Sequence, residues 1–178
     1  MSTDRKKKVF FIDRDGVINK EIGYLHEIEK FTFIDGILDA FQFILNKNYE
    51  IIIITNQSGI GRGIYSEAKF FELNQWMLDF LSAKKIDILD VFYCPHSPED
   101  LCYCRKPKPG MFLDAKKKFN IEMDISWAVG DKETDIQAAN SAGISNTILV
   151  KSGHDIDENN SKASYILDSL YDVLSLNI

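Results

Sequence analysis

Along this chain, short apolar runs alternate with segments whose apolar positions recur every three or four residues. Val9-Phe10-Phe11-Ile12 is the first run, and Asp13-Arg14-Asp15-Gly16 closes it with a polar turn. A run of this kind predicts a strand buried on both faces of a parallel sheet. Residues 19–30 then read as a polar loop. Asp35 is an expected N-cap, with Ile37, Leu38, Phe41, Ile44 and Leu45 on one helical face. Residues 51–55 predict a second strand, ending in Asn56-Gln57-Ser58-Gly59. Ser66 caps a predicted helix that carries Phe70, Leu73, Met77, Phe80 and Leu81. Residues 90–93, 127–129 and 147–150 predict three more strands. Helices are expected over 111–119 and from Gly130-Asp131 through Ala142, and the tail from Tyr165 reads as a turn and an amphipathic helix.

Strands and helices in this alternation imply right-handed βαβ units and an α/β fold with a doubly wound parallel sheet. Residues 1–178 are expected to form one domain, since no repeat, low-complexity stretch or linker interrupts the pattern. Parallel strands bring their carboxyl ends to one rim, where open α/β sheets bind ligands. Asp13, Asp15, Thr55 and Asp131 each fall at such an end.

An isolated Asp-x-Asp-Gly after a strand is readily an Asx turn. Here its company changes the reading. Asp13 and Asp131 are hard oxygen donors suited to Mg²⁺, which keeps waters and phosphate oxygens in its shell. With a phosphate ester neutralised there, Asp13 is placed as nucleophile and Asp15 as proton donor and general base. Thr55 and Lys106, the latter within Arg105-Lys106-Pro107, are placed to stabilise the phosphoryl oxygens. Asp135, one helical turn after Asp131, is expected to orient the site rather than to bind metal directly.

Composition narrows the function further. The net charge of -6 argues against a nucleic-acid partner. Arg5-Lys6-Lys7-Lys8 is the local exception and reads as a solvated tail. No apolar stretch approaches the ~20 residues of a membrane span, and the first residues carry no secretory apolar region, so a cytoplasmic location is expected. The 3 cysteines, Cys94, Cys102 and Cys104, cluster with His96. In a reducing compartment that is the ligand set of a closed, tetrahedral, structural Zn²⁺ site. It would order an otherwise weakly apolar loop just before Arg105 and Lys106. His26 and His154 lack clustered partners and read as ordinary surface histidines. Gly59-Ile60-Gly61-Arg62-Gly63 lacks dinucleotide-loop spacing, and its Arg62 is a candidate anion contact.

Taken together, Asp13-Arg14-Asp15-Gly16, Thr55, Lys106 and Gly130-Asp131-Lys132 with Asp135 resemble the motifs of the haloacid dehalogenase-like (HAD) phosphatases. Within that superfamily the chain is similar to the heptose bisphosphate phosphatases. The similarity lies in Gly23-Tyr24-Leu25-His26-Glu27-Ile28, in residues 55–63 and in Cys104-Arg105-Lys106-Pro107-Lys108-Pro109-Gly110-Met111. The resemblance implies a Rossmann-like HAD fold without a large cap domain and with a zinc-stabilised loop. It implies Mg²⁺ held by Asp13, the Asp15 carbonyl and Asp131. Substrate contacts would come from Glu21 (where aspartate is usual), Gly23, Tyr24, Thr55, Asn56, Gln57, Ser58, Arg105, Lys106 and Lys132. The implied reaction removes the C7 phosphate of a small-molecule sugar bisphosphate, leaving heptose 1-phosphate for nucleotide-activated heptose and surface glycan. A monomer is expected. Histidinol-phosphate phosphatase and a catalytically silent sugar-phosphate scaffold are the alternatives.

Overall fold

In the computed structural model of the chain, residues 6–178 are described. Its strands are β1 (Val9–Ile12), β2 (Glu50–Asn56), β3 (Asp90–Cys94), β4 (Trp127–Gly130), β5 (Asn146–Val150) and β6 (Tyr165–Leu167). They form one 6-stranded sheet in the order β3-β2-β1-β4-β5-β6, parallel throughout. The chain winds outward from β1 through β2 to β3, then returns and winds the other way from β4. The reversal between β1 and β4 opens a crevice beyond their carboxyl ends, where a doubly wound sheet takes its ligand.

The helices are α1 (Ile37–Asn46), α2 (Ser58–Gly61), α3 (Glu67–Ala83), α4 (Gly110–Phe119) and α5 (Glu133–Ser141). Successive strand side chains point to opposite faces, so β1 and β2 divide their apolar residues between two cores. Phe10, Ile12, Ile51 and Ile53 pack with Phe41 and Ile44 of α1 and Leu73 and Met77 of α3. Phe11, Ile52 and Ile54 pack with Met111 and Phe112 of α4 and Ala138 and Ala139 of α5. Truncating one of the buried Ile, Leu, Met or Phe side chains to alanine costs about 2–5 kcal/mol, because the neighbours relax only partly into the space.

The Ser66 cap forms as the sequence predicts, its side chain accepting from the Lys69 amide at 3.2 Å. Three expectations are corrected. Gly36, not Asp35, is the N-cap of α1, with φ at 77°. The tail is not a turn and an α-helix. Tyr165–Leu167 pairs with β5 as the sixth strand, and Leu170–Ser175 is a 3-10 helix that packs on α1. The basic run is not simply a tail: Lys7 bonds Glu50 at 2.9 Å and Lys8 lies 4.0 Å over the Tyr49 ring, while Arg5 lies outside the described residues. Among the described residues, 13–36 hold one 3-10 turn (Ile28–Lys30), with no cap-sized insertion. No helix among the described residues is long and apolar enough to cross a membrane.

Candidate active site

Asp13 is the first residue past β1, and its amide donates to the Val129 carbonyl at 2.9 Å, tying it to β4 across the crevice. Lys106 reaches the same point from a loop far along the chain. The Asn56 side-chain amide at the end of β2 fixes the Lys106 backbone by accepting from its N–H at 3.1 Å and donating to its carbonyl at 3.2 Å. The buried ammonium then donates to Asp13 Oδ1 at 2.8 Å, Asp135 Oδ1 at 2.7 Å and the Ile54 carbonyl at 2.9 Å. Those three contacts use all its hydrogens. Burial works against the charge of Lys106, yet Asp13 and Asp135 hold its pKa above the ordinary lysine range.

Asp131, the first residue past β4, lies in the same group. Ligand oxygens of Asp13, Asp131 and Asp135 are all within 4.8 Å of one another. Burial pushes the Asp13 carboxyl well above its usual range, Lys106 opposes the rise, and the negative charges of Asp135 and Asp131 add to it. Burial raises Asp131 as well, and a hydrogen bond from His154 opposes that. Three clustered carboxylates against one lysine leave an excess of buried negative charge. A divalent, oxygen-seeking cation is the natural counterweight, so the residues present fit Mg²⁺. Gly16 keeps the place clear: its φ is +88°, and a Cβ there would run into the Asp131 carboxylate.

Asp15 sits on the pocket side. Arg14 is wholly buried and grips the Asp15 carboxylate with Nε at 3.1 Å and with Nη2 at 3.0 and 2.9 Å. Asn19 Nδ2 donates to it at 3.0 Å and Gln57 Nε2 at 2.9 Å. Thr55 lies beneath, buried at the end of β2, where its hydroxyl accepts from Gln57.

A cavity of about 440 Å³ opens over these groups. Its floor carries Asp15, Asn56, Gln57, Ser58 and Lys106; one wall carries Glu21, Gly23 and Tyr24 of the loop after β1. Arg105, Lys132 and Arg62 bring positive charge to its rim. Glu21 bends back so that its carboxylate accepts from the Gly23 amide, which shapes the loop. Every substrate-contact residue expected from the sequence therefore lies at this one rim, with Thr55 just below it.

Asp135 pairs with Lys106 at 2.7 Å and lies in the carboxylate group with Asp13 and Asp131. One expectation about the site changes. His154 is not an unpartnered surface histidine. Its backbone N–H donates to Asp131 Oδ2 at 3.1 Å, its Nδ1 lies 2.5 Å from the same oxygen, and it lines the cavity. His26 likewise stacks on Tyr65 at 4.9 Å.

Cys94, at the end of β3, forms a second group with His96, Cys102 and Cys104. The sulfur and Nδ1 atoms are separated by 3.5 Å (Cys94–His96), 3.5 Å (Cys94–Cys102), 3.2 Å (His96–Cys104), 2.9 Å (Cys94–Cys104) and 3.6 Å (Cys102–Cys104). A tetrahedral zinc with Zn–S of about 2.3 Å has S···S edges of about 3.8 Å, and the cluster is close to that size. All three cysteines are free of disulfides. Although burial opposes it, hydrogen bonds from the Arg105 backbone and the neighbouring thiols bring the Cys102 thiol down to about 7, while burial pushes the Cys94 and Cys104 thiols up. The same loop holds Arg105, whose Nη1 donates to the His96 carbonyl at 3.4 Å.

Comparison with known proteins agrees with this geometry. A family model described as HAD-hydrolase-like matches residues 103–173. The D-glycero-beta-D-manno-heptose-1,7-bisphosphate 7-phosphatase of Pasteurella multocida is 45% identical over 177 residues, covering 96% of each chain. The D-glycero-alpha-D-manno-heptose-1,7-bisphosphate 7-phosphatase of Photorhabdus laumondii is 49% identical over 86% of this chain and 87% of its own. Among solved structures, D,D-heptose 1,7-bisphosphate phosphatase from B. bronchiseptica, complexed with magnesium and phosphate, aligns with a TM-score of 0.83. It is 29% identical over 94% of this chain and 96% of its own. By sequence, fold and site, the chain belongs to the heptose-1,7-bisphosphate 7-phosphatase family of HAD-like phosphatases.

Proposed function

We propose that residues 1–178 act as one cytoplasmic, monomeric phosphatase unit that hydrolyses the C7 phosphate of D-glycero-D-manno-heptose 1,7-bisphosphate. The product is heptose 1-phosphate, fit for nucleotide activation and surface-glycan synthesis. The observation that carries the reading is the Lys106–Asp13 contact of 2.8 Å, in one group with Asp131 and Asp135, where Lys106 also lines a cavity shared with Asp15, Arg105, Lys132 and Arg62. A phosphate needs a buried cationic floor, and a second phosphate needs cations at the rim.

Asp13, Asp131 and the Asp15 carbonyl are the residues that would hold Mg²⁺, with Asp135 beside them. The ion supplies charge neutralisation for the phosphoryl group when bound. Asp13 attacks phosphorus through a carboxylate oxygen, and the bond from phosphorus to the sugar O7 breaks. Asp15 gives its proton to O7, so the sugar leaves as a neutral alcohol. Water then attacks the aspartyl phosphate while Asp15 takes its proton. Inorganic phosphate leaves and the Asp13 carboxylate is restored. Thr55 holds a phosphoryl oxygen through its hydroxyl, while Lys106, whose hydrogens go to Asp13, Asp135 and the Ile54 carbonyl, stabilises the phosphoryl oxygens by its buried positive charge. Arg105, fixed on the loop that Cys94, His96, Cys102 and Cys104 close around structural Zn²⁺, recognises the distal phosphate, with Arg62 beside it.

The test compares phosphate release, with Mg²⁺, from both anomers of the heptose bisphosphate, from fructose 1,6-bisphosphate and from histidinol phosphate. One heptose anomer is expected to have the highest kcat/KM. Asp13→Asn is expected to lower kcat by about a thousandfold or more with the fold intact. Preference for histidinol phosphate, or full turnover by Asp13→Asn, would contradict the proposal.

A further inference from the structure

Tyr65 lies outside the motifs read from the sequence, and the mechanism above does not use it. It follows α2, is 7% exposed, and its hydroxyl donates to Gln57 Oε1 at 2.5 Å. Gln57 is itself 3% exposed, and its Nε2 makes two bonds: to Asp15 Oδ2 at 2.9 Å and to Thr55 Oγ1 at 2.7 Å. One amide thus touches both the proton-transferring carboxylate and the phosphoryl-binding threonine.

We infer that Tyr65 is a positioning residue, which locks the Gln57 amide so that it aligns Asp15 and Thr55 together. An amide oxygen only accepts and an amide nitrogen only donates. A flipped Gln57 would turn its oxygen against the Asp15 carboxylate, draw the Thr55 hydrogen onto that oxygen, and set its NH2 against the Tyr65 hydroxyl and the Arg14 guanidinium. Tyr65 prevents that by holding the oxygen on its own side, with Arg14 Nη2 a longer second donor at 3.4 Å. Burial keeps the phenol protonated, its pKa pushed up to about 12, so it donates throughout the neutral range. Because Thr55 Oγ1 accepts from Gln57, its own hydrogen stays free to donate to a phosphoryl oxygen. His26, stacked on the Tyr65 ring, braces the phenol from the loop that carries the substrate contacts. A single lock therefore sets the geometry of both groups at the reacting phosphate.

This assignment rests on the proposed roles of Asp15 and Thr55. Its test is a double-mutant cycle of Tyr65→Phe and Gln57→Leu, with kcat and KM measured on the heptose bisphosphate and thermal melts run alongside. Phenylalanine keeps the ring and its stacking, so a purely packing role would leave kcat unchanged. Tyr65→Phe is expected to lower kcat about tenfold, the scale of one lost hydrogen bond, with KM within about twofold. In the Gln57→Leu background the same change is expected to have no further effect. Tyr65→Phe with wild-type kcat, or two losses that multiply, overturns the assignment while the phosphatase reading stands. A wild-type enzyme silent on the heptose bisphosphate overturns both.

Discussion

Asp13 and Asp131 are the residues in which burial and chemistry conflict most openly. Each is driven toward its neutral form by burial, yet in the proposed mechanism each must be an anion to hold metal, and Asp13 also to attack phosphorus. The sign of the pH dependence follows. In the metal-free protein both pKa values lie above the unfolded value of about 3.8, so the folded state binds more protons. Their contribution to stability is fully present below pH 4 and is lost as pH rises through the raised folded values. Mg²⁺ takes the place of those protons, so the stabilisation it brings should grow with pH. At a Mg²⁺ concentration a hundredfold above Kd, the expected rise in Tm at pH 7.5 is about 5–10 °C. Thermal melts with and without Mg²⁺ at pH 5 and 7.5 measure it, and equal shifts at the two pH values would contradict the account. Arg14 is the other residue with unused meaning in the sequence. A cation between two aspartates, flanked by the apolar runs 9–12 and 17–18, is a candidate buried pair, and here it is fully buried on Asp15.

At the scale of elements, the proposed roles of the loop from Cys94 to Lys106 tie stability to recognition. Cys102→Ser should lose bound zinc and lower Tm by at least about 5 °C, since metal-binding energy in such a site is folding energy. It should also raise KM for the bisphosphate, because Arg105 leans on the His96 carbonyl. Metal content by elemental analysis, a melt and steady-state kinetics test it together; a kinetic defect with zinc and Tm unchanged would contradict it. The cluster and the five longer strands were readable from the sequence because ligand spacing and apolar runs are local. What escaped was set by distant contacts. Tyr165–Leu167 is an edge strand of 3 residues, too short for a period to show. Leu170, Val173 and Leu174 have helical spacing, but the segment winds as a 3-10 helix against α1. α2 is a single turn of Ser, Gly, Ile and Gly. It is held by the Gly61 amide bonded to the Pro95 carbonyl at 2.8 Å, where a Cβ would strike the 95–97 backbone. His154 has no local signal because its partner, Asp131, follows a different strand; its position shortly after β5, on the ligand-binding rim, is the clue the sequence offers.

For the whole molecule, the parallel sheet is the device that turns sequence distance into proximity. Asp13 follows β1, Thr55 ends β2, Asp131 follows β4 and His154 follows β5, so four strands deliver one residue each to the same rim. In the proposed reading the outer loops select the substrate: residues 21–24 form one wall, the end of α2 adds Arg62, and the cysteine loop adds Arg105. Such a site predicts regiochemistry as well as turnover. The phosphate next to Asp13 is removed, and the one near the guanidinium groups is kept. Phosphorus NMR of the heptose bisphosphate during complete turnover tests this most directly. The account predicts loss of the C7 resonance, growth of inorganic phosphate and persistence of the C1 phosphate. Loss of the C1 phosphate, or no loss of either, would contradict it.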